Sequence, residues 1–410
     1  MKKILFLSPA YPYGHLSPSY NCTVRIMDAL VQTGNYEVYD ISYRPRSEDS
    51  SPNYKLVDGV KLIYLPYSEK LKKHSRFQQR VRAFLRIPIY PLDGILAIWQ
   101  YYKFCKSVLK KEKFDLVISQ FNPFEAVISG ALLKRGGYIN KHIVLSWDVI
   151  YGKNHNAIIP HWYALKRQRK VVKWIAPYTD KIVTIYSQKS YHEQYGDVSE
   201  AKDKRRYLGI PVIARTGITN VSSDIGLVKE GKINIIYAGS IYSESDLEYA
   251  VKLLNTSSRA TQLNLILLCK DPSLPSLQEM IVGFKGSVQL AGWISVEELY
   301  SMYSKVNVLM SFSGKGAWGV PGKTYEFLCI GKPILHFYSH ENDANLTLFA
   351  PYPLFKGINV NKSLDENRMV LDDFLSSSLG KNVKFEEVEK LFPFMAISAY
   401  MKLIEGVVES

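Results

Sequence analysis

Lys323 and Glu326 stand three residues apart in GVPGKTYEFLCIGKPI, the stretch from Gly319 to Ile334. The spacing of apolar residues reads as a short helix, with Pro321 at the first helical position, where no N–H is needed, and Gly331 just past the end, where a left-handed cap is expected. Lys323 then falls in the first turn, near the positive end of the helix dipole. That placement costs from a few tenths to about 1 kcal/mol unless an anion lies between the lysine and the helix. The segment before it, SGKGAWG, is glycine-rich and offers backbone amides. The chemistry implied is the binding of a phosphorylated ligand. Two further polar side chains follow strand-like runs: His15, in a turn after the first, and Asp148, in LSWDVIYG. Asp148 is suited either to orienting an acceptor hydroxyl or to capping the next turn, and His15 reads equally as a surface histidine.

The elements that must position these residues are legible as apolar runs of four to seven residues alternating with longer helical patterns, the mark of βα units and parallel sheets. In the first half the predicted strands are 3–8, 36–42, 60–65, 114–119, 142–146 and 181–186; in the second they are 233–239, 263–269, 287–292, 306–311 and 333–338. Each half therefore has its own sheet, with a seam near 210–220, after the charged and irregular DVSEAKDKRRY. The loops GSIYSESD, KDPS, GWIS and SGKGAWG leave the second sheet from one edge and converge on the start of the Lys323 helix. A cleft between two doubly wound domains is the expected ligand site.

Length and composition agree with two domains: 410 residues, 47% hydrophobic and 22% charged. The four cysteines, Cys22, Cys105, Cys269 and Cys329, are too far apart for a CxxC or a Cys/His cluster. A zinc site and a disulfide framework are disfavoured, and a cytoplasmic location fits. The opening MKKILFLSPAYP has too short an apolar run for a secretory signal. Phe84 to Trp99 is interrupted by Arg86, Pro88, Pro91 and Asp93, so no membrane crossing is expected. No stretch is a Walker A or a GxGxxG fingerprint, which disfavours NAD and FAD, and no DxD pair suggests a metal.

The net charge of +14 is uneven: Lys and Arg outnumber Asp and Glu by 35 to 17 in residues 1–219, and are outnumbered 17 to 21 in the rest. The first half thus favours anionic partners. Within it, 70–111 and 166–174 mix basic residues with aromatics and leucines, a composition suited to an anionic membrane surface. The plainer alternative is a core-packed helix with a solvated basic face.

Pro321 to Ile334 resembles the PxKxxEYLAxGKPV signature of retaining nucleotide-sugar glycosyltransferases of the GT-B fold, the large family numbered four. Other pieces fall in the family's order. Ile236 to Ser240 resembles the first strand and loop of its donor domain, and Leu290 to Ile294 with Glu297 to Tyr300 resembles FLGxVxxEELxxLY. Asp180 to Ser187 resembles DxIITVS, Ala214 to Ile218 sits where the interdomain IxNGV lies, and Phe394 to Val408 resembles the helix that closes back on the first domain.

The resemblance implies two Rossmann-like doubly wound domains facing across a cleft: an acceptor-binding domain at 1–215, with helix 394–410 returning to it, and a donor-binding domain at 216–393. It implies metal-independent, retaining sugar transfer from a nucleotide diphosphate, with no other cofactor, to a glycan or lipid-diphosphate-linked acceptor in bacterial surface polysaccharide assembly. Glu326 matches the carboxylate that holds the ribose hydroxyls. Lys323 and the amides of Gly319, Val320 and Gly322 match the diphosphate site, which Gly239 and Ser240 face. Trp293 and Ile294 match the lining of the base, and Gly14 with His15 the loop that approaches the donor sugar. Trp318 replaces a second family glutamate, and Ser240 and Ser245 stand near the usual Arg and Lys. These departures leave a non-catalytic sugar-nucleotide binder as a second reading. A basic nucleic-acid-binding α/β protein is a third, though no RNA-recognition motif is visible.

Overall fold

The structure is a computed structural model. It describes the chain outside residues 9–17, 43–57, 67–83, 85–86, 93–94, 122–123, 148–158, 190–191, 194–195, 211–225, 240, 242, 314–319 and 321. The chain divides into two compact units, Met1–Pro211 with Phe394–Ser410, and Val212–Pro393.

The first unit holds β1 (Lys2–Leu7), α1 (Pro18–Gln32), β2 (Tyr36–Ser42), β3 (Val60–Tyr64), α2 (Ile95–Lys111), β4 (Leu116–Phe121), α3 (Phe124–Arg135), β5 (His142–Ser146), α4 (His161–Ile175), β6 (Lys181–Ile185), α5 (Ser199–Lys202) and β7 (Arg205–Leu208). Its seven strands are parallel, in the order β3-β2-β1-β4-β5-β6-β7. Successive residues of β1 serve opposite faces. Ile4 and Phe6 pack with Ile26 and Leu30 of α1, while Leu5 and Leu7 pack with Tyr101 and Cys105 of α2. A strand covered on both faces must be apolar throughout, which is why these runs read so clearly. Each fully buried Ile, Leu or Phe contributes roughly 1.5–3 kcal/mol.

The second unit holds β8 (Ile233–Ala238), α6 (Glu244–Thr256), β9 (Leu263–Leu268), α7 (Pro275–Ile281), β10 (Ser287–Ala291), α8 (Val296–Lys305), β11 (Val308–Phe312), α9 (Gly322–Ile330), β12 (Ile334–Tyr338), α10 (Ala344–Phe349), β13 (Phe355–Asn359), α11 (Leu364–Ser378) and α12 (Phe385–Leu391). Its six strands are also parallel, in the order β10-β9-β8-β11-β12-β13. The order reverses between β8 and β11, so the crevice for a ligand lies beyond the carboxyl ends of those two strands.

The last helix, α13 (Ile397–Glu409), belongs to the first unit. Tyr400, Ile404, Val407 and Val408 join the core beside α1, the Tyr400 hydroxyl donates to the Gly209 carbonyl, and Gly209 N–H donates to the Phe394 carbonyl at 2.6 Å. A Cβ on Gly209 would meet Met395 Cγ at 2.3 Å, so only glycine permits this return.

Two strands differ from the sequence reading. α5 and most of β7 lie in 197–207, which reads as irregular, and β13 has no counterpart among the predicted strands. Both are sheet edges. An edge strand is short and partly exposed, so it keeps charged and small residues such as Arg206, Lys356 and Gly357. Among the described residues no helix is long and apolar enough to cross a membrane.

Candidate functional site

α9 starts just after β11, at the switch point of the second sheet, and buries Thr324, Tyr325, Phe327, Leu328 and Cys329. Lys323 and Glu326, three residues apart, share its half-buried face. The helix ends as the sequence predicts: Gly331 has φ 76°, and a Cβ there would sit 2.2 Å from the Val383 carbonyl oxygen.

Lys323 Nζ donates to the carbonyl of Ala238, the last residue of β8, at 2.6 Å. Burial lowers the pKa of this ammonium, and the Glu326 carboxylate works in the opposite direction. The negative potential that the sequence assigns to a bound anion is therefore supplied in part by the protein. What remains is a partly desolvated cation at a helix N-terminus, an arrangement that attracts further negative charge.

Gly239 follows directly and donates its N–H to the Leu268 carbonyl at 3.0 Å. A Cβ here would lie 3.1 Å from Tyr237 Oη, a tight contact, so glycine helps keep the approach above that phenol open. Trp293 and Ile294 leave β10, two strands from β8, in the loop that Ser295 closes through a capping box with Glu298. Trp293 is 70% exposed, so the face of its indole is available for stacking. Val320 is half-buried and Gly322 exposed, at the start of α9. The structure thus brings Gly239, Val320, Gly322, Lys323, Glu326, Trp293 and Ile294 to the carboxyl edge of one sheet. Gly14, His15, Asp148, Ser240, Trp318, Gly319 and Pro321 lie outside the described residues.

Two features here are not in the sequence reading. Tyr303, on α8, is fully buried with its ring 5.3 Å from Phe327, the neighbour of Glu326. Its periodic place in VEELYSMYSK marks it only as core. A buried chain of polar groups also anchors the start of the glycine-rich segment. Ser313 bonds the Asp343 carboxylate and, through its N–H, the Phe337 carbonyl, while His336 lies 2.8 Å from Ser311 and 3.5 Å from Asp343. Burial alone would raise the Asp343 pKa, but bonds from His336, Ser313 and Asn345 outweigh it and hold the carboxyl below its usual range. Nothing in the spacing of Ser311, Ser313, His336 and Asp343 betrays this chain, because parallel strand pairing joins it.

In the first unit, the basic and aromatic stretches 70–111 and 166–174 of the sequence reading fall largely on α2 and α4. α2 buries Ile98, Tyr101, Cys105 and Leu109, and α4 buries Ala164, Gln168, Val172 and Ile175, so both helices are core-packed on one face. Their first turns nonetheless present Ile95, Leu96 and Trp99 on α2, and Trp162 on α4, to solvent. Lys103 Nζ sits 5.0 Å from the Trp99 ring centre. Arg167 of α4 donates to the Pro88 and Tyr90 carbonyls at 2.6 and 3.0 Å, which straps the segment entering α2 to α4. The basic run 70–83 lies outside the described residues.

Among the described residues no group of three or more His, Cys, Asp or Glu could hold a metal ion.

No family model matches the chain, and no curated protein matches it by sequence. Solved structures do match by fold. HepE of Anabaena, in complex with UDP and glucose, superposes with a TM-score of 0.61 at 10% identity, covering 100% of both chains. The lipopolysaccharide outer core galactosyltransferase WaaB, without ligand, matches with a TM-score of 0.56 at 12% identity over 99% of each chain. A UDP-GlcNAc 2-epimerase from Methanocaldococcus jannaschii matches at 0.53 and 11% identity, again over 99% of each chain. With two parallel doubly wound sheets and a C-terminal helix returning to the first, the chain has the GT-B fold.

Proposed function

We propose that the protein is a glycosyltransferase that moves a sugar from a nucleotide diphosphate to a hydroxyl of an acceptor. The observation that carries this reading is the half-buried Lys323 ammonium in the first turn of α9, with Glu326 on the same face and the end of β8 beneath it. A diphosphate seated there takes up the positive potential of the lysine and the helix amides, and Glu326 accepts hydrogen bonds from the ribose. The complexes of HepE with UDP and with UDP-glucose support the class of donor.

In this reading the bond from the anomeric carbon to the diphosphate oxygen breaks, and its electron pair leaves with the nucleoside diphosphate. Lys323 and the backbone amides of residues 319, 320 and 322 stabilise that charge as preorganised donors. The acceptor oxygen bonds to the anomeric carbon, and its proton passes to the departing phosphate on the same face, so the sugar keeps its configuration. Trp293 and Ile294 serve the base, and Gly239 and Ser240 the diphosphate. Gly14, His15 and Trp318 serve the transferred sugar, and Asp148 the acceptor hydroxyl. The groups named handle the charge without a metal, and the nucleotide sugar is the one small molecule the reaction requires. The basic first unit takes the acceptor, a glycan or a lipid diphosphate at the cytoplasmic face of an anionic membrane. Its excess of Lys and Arg and the exposed Trp99 and Trp162 support that assignment.

The test is a calorimetric titration of UDP and GDP into wild type and Glu326→Ala, followed by turnover assays with UDP-, GDP- and TDP-sugars. Loss of nucleotide binding in the variant and release of nucleoside diphosphate by the wild type support transfer. Unchanged affinity in the variant removes the ribose assignment. An epimerised nucleotide sugar with no release would place the chain with the epimerases of this fold, and tight binding without turnover would make it a non-catalytic binder.

A further inference from the structure

The strand order of the first sheet reverses between β1 and β4, so this unit has a ligand crevice of its own beyond the carboxyl ends of those strands. The last side chains before the chain leaves them are polar. Register pairs Leu7 with Ile41 and with Ser119, so the next residues, Ser8, Ser42 and Gln120, lie side by side on β1, β2 and β4. Alternation puts them on the face of Phe6, Val38 and Ile118, which packs against α1. All three are at most 1% exposed. One hydroxyl fixes the row: Thr23 Oγ1, in the second turn of α1, donates to Gln120 Oε1 at 2.7 Å and accepts from Trp147 Nε1 at 2.9 Å. With its oxygen held by Thr23, the Gln120 amide has its Nε2 donors unspent among the described residues. The Ser8 and Ser42 hydroxyls have no partner among them either. Buried polar groups without partners are destabilising, and apolar residues would fill the same space without that cost. Three in one row, at a switch point, mark a place where a ligand completes the bonds. The row holds hydroxyls and an amide but no cation, and Asp40, two residues deeper on the same face, is an acid. Such groups match a neutral hydroxyl, which both donates and accepts, better than a phosphate.

We propose that this row is the subsite for an uncharged sugar of the acceptor, with Gln120 as its specificity-determining residue: the amide aimed by Thr23 donates to one sugar oxygen, and the Ser8 hydroxyl meets a neighbouring one. The proposal rests on the transferase reading and narrows it. The end of the acceptor that enters the first unit is a neutral glycan end, and any phosphate it carries is left to the basic surface. Thr23 is a positioning residue here. Its hydroxyl presets the amide before the sugar arrives, and through Trp147 it also fixes the end of β5, from which Asp148 follows directly.

The experiment follows transfer from whichever of the UDP-, GDP- and TDP-sugars the wild type turns over to methyl glycosides of glucose, galactose, mannose and N-acetylglucosamine, in wild type, Ser8→Ala and Gln120→Met. At least one glycoside is expected to serve the wild type. Its KM rises about three- to tenfold in each variant, as for one lost hydrogen bond, while the KM of the nucleotide sugar keeps its wild-type value. Ser8→Ala melts at an unchanged or higher temperature, because the hydroxyl it loses had no partner. Monodeoxy forms of the glycoside supply the readout that a structural role does not move: removing the hydroxyl that Gln120 meets weakens binding to wild type but not to Gln120→Met. Equal losses in the two proteins for every deoxy form, or an unchanged glycoside KM in both variants, would leave the row to internal water and overturn the proposal. A raised KM for the nucleotide sugar with an unchanged KM for the glycoside would give the row to the transferred sugar, which overturns it too. A wild type that hydrolyses its donor but uses no glycoside overturns it while sparing the donor reading; one that turns over no nucleotide sugar overturns both.

Discussion

Lys323 Nζ and the Ala238 carbonyl oxygen lie 2.6 Å apart, so one charged hydrogen bond ties the first turn of α9 to the last residue of β8. The two residues flank the reversal of strand order in the second sheet, where the backbone leaves room for a ligand. The bond keeps a cation at the unfavourable end of its own helix, and it orients that cation before any anion arrives. Replacing Lys323 by methionine keeps the stem and removes the charge. UDP affinity is expected to fall by about ten- to a hundredfold, the worth of one charge-assisted bond of roughly 1.5–3 kcal/mol. Uridine affinity should hardly change, since uridine has no phosphate. Parallel titrations of the two ligands check this, and an equal loss for both would assign Lys323 to packing.

Gly331 makes a separate prediction about stability. Its φ of 76° and the Val383 carbonyl oxygen, 2.2 Å from where a Cβ would sit, leave no room for a side chain. Gly331→Ala is expected to cost about 2 kcal/mol or more, combining left-handed strain with displacement of the 383 segment. Urea unfolding measures the loss. Because the cap fixes the end of α9, nucleotide affinity should fall with it.

The parts of this molecule that the sequence shows are those with a local cause. β2 and β5 occupy the residues that their apolar runs mark, since a strand buried on both faces has to be apolar along its length. The Gly331 cap is legible for the same reason, because one residue type meets one backbone need. β7 and β13 are hidden because edges tolerate Arg206, Lys356 and Gly357. Of the candidate site, the sequence offers Lys323 and Glu326, but not what holds Lys323. Ala238 lies 85 residues before Lys323 and contributes only its carbonyl, which every residue has. Tyr303 and the His336–Asp343 pair look like ordinary core and strand residues until the chain is folded.

His142 sets an acid limit on the first unit. It is completely buried, with Nε2 2.8 Å from Ser119 Oγ and Nδ1 3.0 Å from the Tyr178 carbonyl, and Gly130 of α3 closes over the pair. Desolvation, with Lys134 adding to it, pulls its pKa down to about 4; the Tyr178 bond and Asp180 act the other way. His192 is lowered to about 4 as well, by burial and then by Arg205. The unfolded chain takes up these protons near pH 6.5, before the folded one does. The stability tied to neutral imidazoles is thus complete above pH 6.5 and lost as pH falls toward 4, with an upper limit of about 3 kcal/mol per histidine. Urea midpoints followed by tryptophan fluorescence from pH 7.5 to 4.5 should fall accordingly. His142→Asn should be less stable at pH 7.5 but show a shallower decline; a parallel decline would clear His142 of the effect.

Trp99 and Trp162 make the membrane reading testable apart from catalysis. No helix among the described residues is long and apolar enough to cross a bilayer, and the membrane reading rests instead on exposed side chains. Exposed indoles suit that depth, and Lys103 beside Trp99 supplies charge for anionic headgroups. Wild type is expected to co-sediment with vesicles of phosphatidylcholine and phosphatidylglycerol but poorly with phosphatidylcholine alone, and to release at high salt because the attraction is screened. Trp99→Ser with Trp162→Ser should weaken binding to the anionic vesicles by roughly tenfold or more, if each indole contributes on the order of 1 kcal/mol of interfacial burial. Because the proposed nucleotide site lies in the second unit, nucleotide affinity should stay as it is. If the double variant bound vesicles as well as wild type, or if wild type bound single-stranded oligonucleotides more tightly than lipid, the charge of the first unit would serve some other anion.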